Sequence, residues 1–187
     1  IDAAIKIDNN TNTYTFDTED IILNNLKLSA DGFVRMQNDS VFDMDIRFNS
    51  PSNDFRDILS LIPDIYKKNF NKLKTSGKAV FNGFVKGVLT PDQTPAYEVN
   101  LDIKDGSFRY PDLPKPVKNI QLTLKASNAD GQPDNAVIAI PKGHLEMDNE
   151  PFDFRFIYKK PVSTQLIDAA AKGKIDLSQL SKFIKLE

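Results

Sequence analysis

Apolar and polar residues alternate with a period of two along most of the chain, the signature of strands with one face against a core. The segment Val41 to Phe48 is the clearest instance: Phe42, Met44, Ile46 and Phe48 point one way, Asp43, Asp45 and Arg47 the other. Phe152 to Tyr158 repeats the form with Phe152, Phe154 and Phe156. Further strands are expected at Ile1 to Ile7, Tyr14 to Asp17, Ile21 to Leu28, Gly32 to Met36, Lys78 to Val88 and Tyr97 to Ile103. The series continues at Ser107 to Tyr110, Ile120 to Ala126, Ala136 to Ile140, His144 to Met147 and Ala169 to Leu177. Turns are expected at Ala30-Asp31-Gly32, Lys104-Asp105-Gly106, Asn128-Ala129-Asp130-Gly131 and the proline-rich Pro111 to Pro116, where Gly, Asx and Pro cluster.

One stretch breaks this rhythm. Phe55, Ile58, Leu59 and Ile62 fall at helical spacing behind Asn53 and Asp54, either of which suits a helix N-cap. A short helical insertion near residues 54–70 follows, interrupted at Pro63, and a second short helix is expected at Leu177 to Phe183. No linker divides the chain, so residues 1–187 are expected to form a single β-rich domain. Within it, 32–51 and 143–161 align as an internal repeat, Gly32-Phe33-Val34-Arg35-Met36 matching Gly143-His144-Leu145-Glu146-Met147.

Composition agrees with strands and turns. The 26 acids comprise 21 Asp and five Glu, and there are 16 Asn, 13 Phe, 11 Pro and eight Gly. Asp and Asn favour turns and caps, whereas Glu favours helix interiors. The fold class expected is mainly β: a strongly curved antiparallel sheet, or a β-sandwich-like groove, of about ten strands. Half-buried strands need cover for their apolar face, and both a two-sheet sandwich and one inwardly curved sheet supply it.

Charge and chemistry then narrow the function classes. A net charge of −2 gives no general attraction to nucleic acid. The chain has no Cys, which excludes disulfide, thiol and iron–sulfur chemistry. Its single His, His144, leaves no conventional Ser-His or two-His metal site within one chain. Asp43 and Asp45 are a carboxylate pair on one strand face, but a solvated polar row opposite Phe42, Met44 and Ile46 accounts for them. The run Asp130 to Asn135 has calcium-ligand residues that a turn also requires, and His144 reads as structural. No catalytic residue, metal site or cofactor is expected. The chain starts in mid-pattern at Ile1, so the expectation is a segment of a longer protein, with no stretch apolar enough to span a bilayer in this part.

From Asp57 to Glu187 the chain resembles the AsmA family, related to the TamB-type repeating β-groove proteins. The likeness rests on Lys74-Thr75-Ser76-Gly77-Lys78 through Gly87, Pro95-Ala96-Tyr97, Asp105-Gly106-Ser107-Phe108-Arg109-Tyr110-Pro111-Asp112-Leu113-Pro114 and Val117-Lys118-Asn119-Ile120. It continues at Asn128 to Gly131, Pro151-Phe152-Asp153, Pro161-Val162-Ser163 and Lys172-Gly173-Lys174-Ile175-Asp176-Leu177. The resemblance implies a periplasmic segment of a Gram-negative cell-envelope protein, attached to the inner membrane through an anchor elsewhere in the full-length chain. It also implies no catalytic residues and a part in outer-membrane biogenesis or lipid transport. On that expectation Phe42, Met44, Ile46, Phe152, Phe154 and Phe156 line a groove for a phospholipid or other acyl-chain lipid. The rival expectation is a closed β-sandwich that binds a protein or glycan through rim loops such as Tyr110 to Val117.

Overall fold

The computed structural model describes residues 3–23, 25–59, 74–109, 116–147 and 149–174. Among these residues ten strands belong to one antiparallel sheet, in chain order: β1 (Ala3–Asp8), β2 (Thr13–Leu23), β3 (Leu26–Asn38), β4 (Val41–Asp54), β5 (Lys74–Leu89), β6 (Ala96–Arg109), β7 (Val117–Asn128), β8 (Val137–Met147), β9 (Glu150–Lys159) and β10 (Leu166–Gly173). Every pairing joins consecutive strands, so the topology is an up-and-down meander. Among the described residues β1 and β10 each pair with one neighbour, and the sheet does not close. The mainly β expectation is met in its curved-sheet form rather than as a sandwich.

The register shows why the alternation matters. In an antiparallel sheet directly paired residues project to the same face. One paired row runs from Thr18 in β2 through Ala30, Phe48, Gly83, Val99, Ala126, Ile138 and Tyr158 to Ile167 in β10. Seven of the nine strand pairings also carry a register shift, from β2/β3 to β8/β9. Each extra residue bends its strand and increases the local twist, which is how so wide a sheet curves.

Two of the expected turns lie inside longer strands instead. Ala30-Asp31-Gly32 lies within β3; Gly32 has φ +141°, and a Cβ there would sit 2.0 Å from the Asp45 carbonyl oxygen of the adjacent strand. Lys104-Asp105-Gly106 lies within β6, where the pairing with β7 shifts between Ile103 and Gly106. The strands expected at Ala136 to Ile140 and His144 to Met147 are one strand, β8, with its irregularity between Ile140 and Gly143. Conversely, the single strand expected over Ile21 to Leu28 is split between β2 and β3. Asn128 to Gly131 is a turn, as expected: the buried Asn128 accepts from Gly131 N at 2.8 Å and donates to the Gln132 carbonyl at 2.8 Å.

The described core sits at one end of the sheet. There Leu26, Ala79, Ile103, Val117 and Ile120 are buried together with Phe55 and Ile58 of α1 (Phe55–Leu59). The helix starts where expected, directly behind Asn53 and Asp54. Asn53 is buried and ties the bulge at the end of β4 to β3, accepting from Lys27 N at 3.2 Å and donating to the Lys27 carbonyl at 3.3 Å and to Ser50 Oγ. The rest of the expected helical insertion, the loop expected at Pro111 to Pro116 except its last residue, and the helix expected at Leu177 to Phe183 lie outside the described residues.

The two stretches aligned as a repeat occupy the hairpins β3–β4 and β8–β9. They lie five strands apart in a meander, so their connecting turns sit at opposite ends of the sheet.

Candidate functional site

The six residues expected to line a groove share one face of the sheet. Phe42, Met44 and Ile46 lie on β4 in step with Phe48, while Phe152, Phe154 and Phe156 lie on β9 in step with Tyr158. Phe48 and Tyr158 belong to the same paired row, which fixes both triplets on the same side. Cross-strand neighbours extend the apolar face: Met36 and Leu89 flank Phe42, Val34 and Gly87 flank Met44, and Val85 and Gly32 flank Ile46. Leu145 stands opposite Phe152, Gly143 opposite Phe154 and Ile140 opposite Phe156.

None of the six is fully buried. All are half-buried, whereas Leu26 at the covered end is 0% exposed and Ala79 1%. Toward the two edges the same face opens further: Ile5 is 65% exposed, Ile138 40% and Ile167 64%. The sheet thus presents a broad apolar surface that α1 covers at one end.

Three of the glycines on this face have a specific role. Gly83 is paired with Phe48, Gly143 with Phe154 and Gly173 with Phe152. A Cβ would lie 2.6 Å from the Phe48 ring at Gly83, 2.4 Å from Phe154 at Gly143 and 2.5 Å from Phe152 at Gly173. Each ring therefore lies against the backbone of its neighbour instead of standing off the sheet, and aromatic cover compensates a glycine that has no side chain to pack. Phe48 also stacks on Phe81, ring centroids 5.2 Å apart, and Phe152 and Phe154 are 6.2 Å apart. Phe48, Phe81 and Tyr158 were absent from the expected lining; their signal was the same alternation carried one residue pair further.

The opposite face is a lattice of ion pairs and hydrogen bonds. Arg35 donates to Asp43, and Lys86 lies 2.8 Å from Asp45. Lys125 pairs with Glu98 at 2.7 Å and Arg155 with Asp168 at 2.8 Å. The Lys86 ammonium beside Asp45 holds that carboxyl below the ordinary value of 3.8. Glu98 is likewise lowered, first by Lys125 and then by Asn100. Asp43 and Asp45, the sequence's candidate acid/base pair, are thus each occupied by a cross-strand cation. His144, which reads as structural in the sequence, has its Nδ1 2.8 Å from Asp153 Oδ1 on the facing strand.

The run Asp130 to Asn135 satisfies its own carboxylates. Asp130 accepts from Gln132 N at 3.0 Å and from Asn135 Nδ2 at 2.7 Å. Asp134 accepts from Val162 N, Ser163 N and Ser163 Oγ, which ties the loop before β8 to the loop before β10. Among the described residues no group of three or more His, Cys, Asp or Glu side chains converges as a metal site.

Searches among protein-family models, curated proteins and solved structures return no match to this chain.

Proposed function

We propose that this chain is a non-enzymatic, periplasmic segment of an AsmA-like envelope protein whose apolar sheet face accepts the acyl chain of a phospholipid or related lipid. Its role would be in outer-membrane biogenesis or phospholipid transport. The observation that carries this reading is the apolar face that a paired row carries from Ala30 in β3 to Ile167 in β10, half-exposed along Phe42, Met44, Ile46, Phe152, Phe154 and Phe156. The motifs from Lys74 to Leu177 that resemble the AsmA family support it independently.

The energetics are favourable in kind. Exposing an acyl chain of about 16 carbons to water costs about 12 kcal/mol, at roughly 0.8 kcal/mol per CH₂. A Phe-, Met- and Leu-lined surface offsets much of that cost while the headgroup stays hydrated, and the bound chain in turn covers the half-exposed rings. Rings that lie against glycine backbone fill the positions where no side chain stands, so neighbouring rows offer a chain similar contacts. Movement along such a surface needs no nucleotide and no covalent intermediate.

Native mass spectrometry of the folded chain from a Gram-negative host, with lipid extraction, tests the proposal. An acyl lipid is expected to co-purify with the unaltered chain and to be lost from the double variant Met44→Asp, Phe154→Asp. Circular dichroism must show that variant folded, and Phe84→Asp, on the opposite face, should retain lipid. A folded, unaltered chain that neither carries lipid nor takes up added phospholipid overturns the proposal.

A further inference from the structure

Strand β7 is flanked at one level by two irregularities. On the β6 side the pairing steps from Ile103–Leu122 to Gly106–Ile120, so Lys104 and Asp105 stand against Gln121 alone, and Asp105 takes φ +51°. On the β8 side it steps from Leu122–Gly143 to Lys125–Ala139, so Ile140, Pro141 and Lys142 stand against Thr123 and Leu124. Pro141 has no N–H to give to a ladder, which favours a bulge there. Each bulge delivers a lysine to the polar face: Lys104 follows Ile103 and Lys142 precedes Gly143, and both of those neighbours belong to the apolar face. Between the two lysines opens a cleft of about 260 Å³, lined by Asp102, Lys104, Gln121, Thr123, Lys142 and His144. Bulges recur beside functional sites because they re-aim side chains in this way.

The charges in this cleft do not balance. Lys104 and Lys142 have no ion-pair partner among the described residues, whereas Lys86, Lys125 and Arg155 elsewhere on the same face are paired. Lys104 instead stands directly opposite Lys78, a like-charge pairing that costs stability, and Lys78 is already held by Asp54 at 2.6 Å. The one carboxylate of the lining, Asp102, accepts from the Thr123 hydroxyl at 2.5 Å through Oδ1. His144 is engaged by Asp153 through Nδ1, which leaves Nε2 as its remaining ring nitrogen. An anion between the two ammonium groups removes the imbalance, and phosphate is an anion that lysine holds well. The second Asp102 oxygen repels a bare phosphate but accepts from a hydroxyl. A ligand that satisfies the whole lining therefore carries both groups.

We propose that this cleft binds a small phosphorylated polyol, its phosphate between Lys104 and Lys142 and a hydroxyl on Asp102, with the Gln121 amide as a further donor. The cleft is smaller than the roughly 300–1,000 Å³ of drug-sized pockets, so its occupant is of the size of a glycerol phosphate or a sugar phosphate. Both lysines are exposed and solvent screens them, so binding is weak, on the order of millimolar. The cleft lies across the sheet from the apolar face. The proposal therefore goes beyond the lipid reading and does not depend on it.

Amide chemical shifts of the isotope-labelled full chain test this, with glycerol 3-phosphate, inorganic phosphate and glycerol as probes. Glycerol 3-phosphate is expected to shift Leu122, Thr123 and Gly143 with Kd near ~1 mM. Inorganic phosphate should shift the same amides about fivefold more weakly, for want of the hydroxyl contact, and glycerol should shift none. Lys104→Met and Lys142→Met should each weaken binding about fivefold, as each removes one charge-assisted contact. Lys86→Met, on the same face but outside the cleft, should leave it unchanged. Asp102→Asn should bring the two phosphates to equal affinity by removing the charge that repels the bare anion. Shift dispersion reports in the same spectra that each variant is folded. Cleft amides that do not move by about 10 mM glycerol 3-phosphate overturn the proposal. So does equal weakening by Lys86→Met, or an unaltered chain that binds inorganic phosphate as tightly as glycerol 3-phosphate.

Discussion

The covered end of the apolar face and its open span are built from the same strands and finished differently. At the covered end α1 lays Phe55 and Ile58 over Leu26, Ala79 and Ile103, and these residues are buried. Along the open span the same alternation continues through Phe42, Met44 and Ile46 on β4 and Phe152, Phe154 and Phe156 on β9, and every one remains half-exposed. Burial free energy scales with area removed from water, so the covered end contributes more stability per residue. The open span retains free energy that a ligand can still release by covering it. One sheet thereby divides its work between holding the fold and offering a surface.

Mutations should separate the two regions. Ile103→Ala at the covered end is expected to cost about 2–5 kcal/mol, measured by urea unfolding, as loss of a buried side chain leaves a cavity. Met44→Ala on the open span should cost distinctly less, and equal losses would erase the distinction. Asn53→Ala should cost about 1–3 kcal/mol, since it strips partners from the Lys27 backbone groups and Ser50 where β4 turns into α1. Gly143→Ala should cost about 1–3 kcal/mol through collision with the Phe154 ring, and much of that loss should disappear when combined with Phe154→Ala.

The smallest effect belongs to the polar face. Asp45, Glu98 and Asp168 have lowered carboxyl values through Lys86, Lys125 and Arg155 respectively. Their folded values lie below the unfolded ones of 3.8 for Asp and 4.5 for Glu, so their contribution is present above those values. It is lost as pH falls through the lowered folded values, a change screened by solvent because Asp168 is exposed and Asp45 and Glu98 are partly so. Melting temperature should therefore decline modestly at acid pH, and Asp45→Asn should flatten that decline without altering lipid uptake.

Much of the sheet was legible because Phe42 to Phe48 and Phe152 to Tyr158 alternate without interruption, and a period of two has one structural meaning there. The start of α1 was legible from Asn53-Asp54 before a helically spaced apolar set. Ala30-Asp31-Gly32 and Lys104-Asp105-Gly106 misled because Gly and Asx signal turns locally. Here both neighbouring strands hold these segments in register, and the irregularity is absorbed as a bulge or a close backbone approach. The choice between one curved sheet and two stacked sheets was not legible, since both bury the same alternating rows. The His144–Asp153 pair was not legible, because Asp153 is nine residues away and is brought opposite His144 only by the β8–β9 pairing.

The central claim is that the open span contacts an acyl chain, and photo-cross-linking tests it most directly. A phospholipid carrying a diazirine in its acyl chain would be bound to the full-length protein, irradiated, and the labelled residues identified by peptide mass spectrometry. The account predicts labels concentrated at Phe42, Met44, Ile46, Phe152, Phe154, Phe156 and their cross-strand neighbours, reduced by unlabelled phospholipid. Labels on the polar face around Asp43, Asp45 and Phe84, or none that competitor reduces, would contradict it.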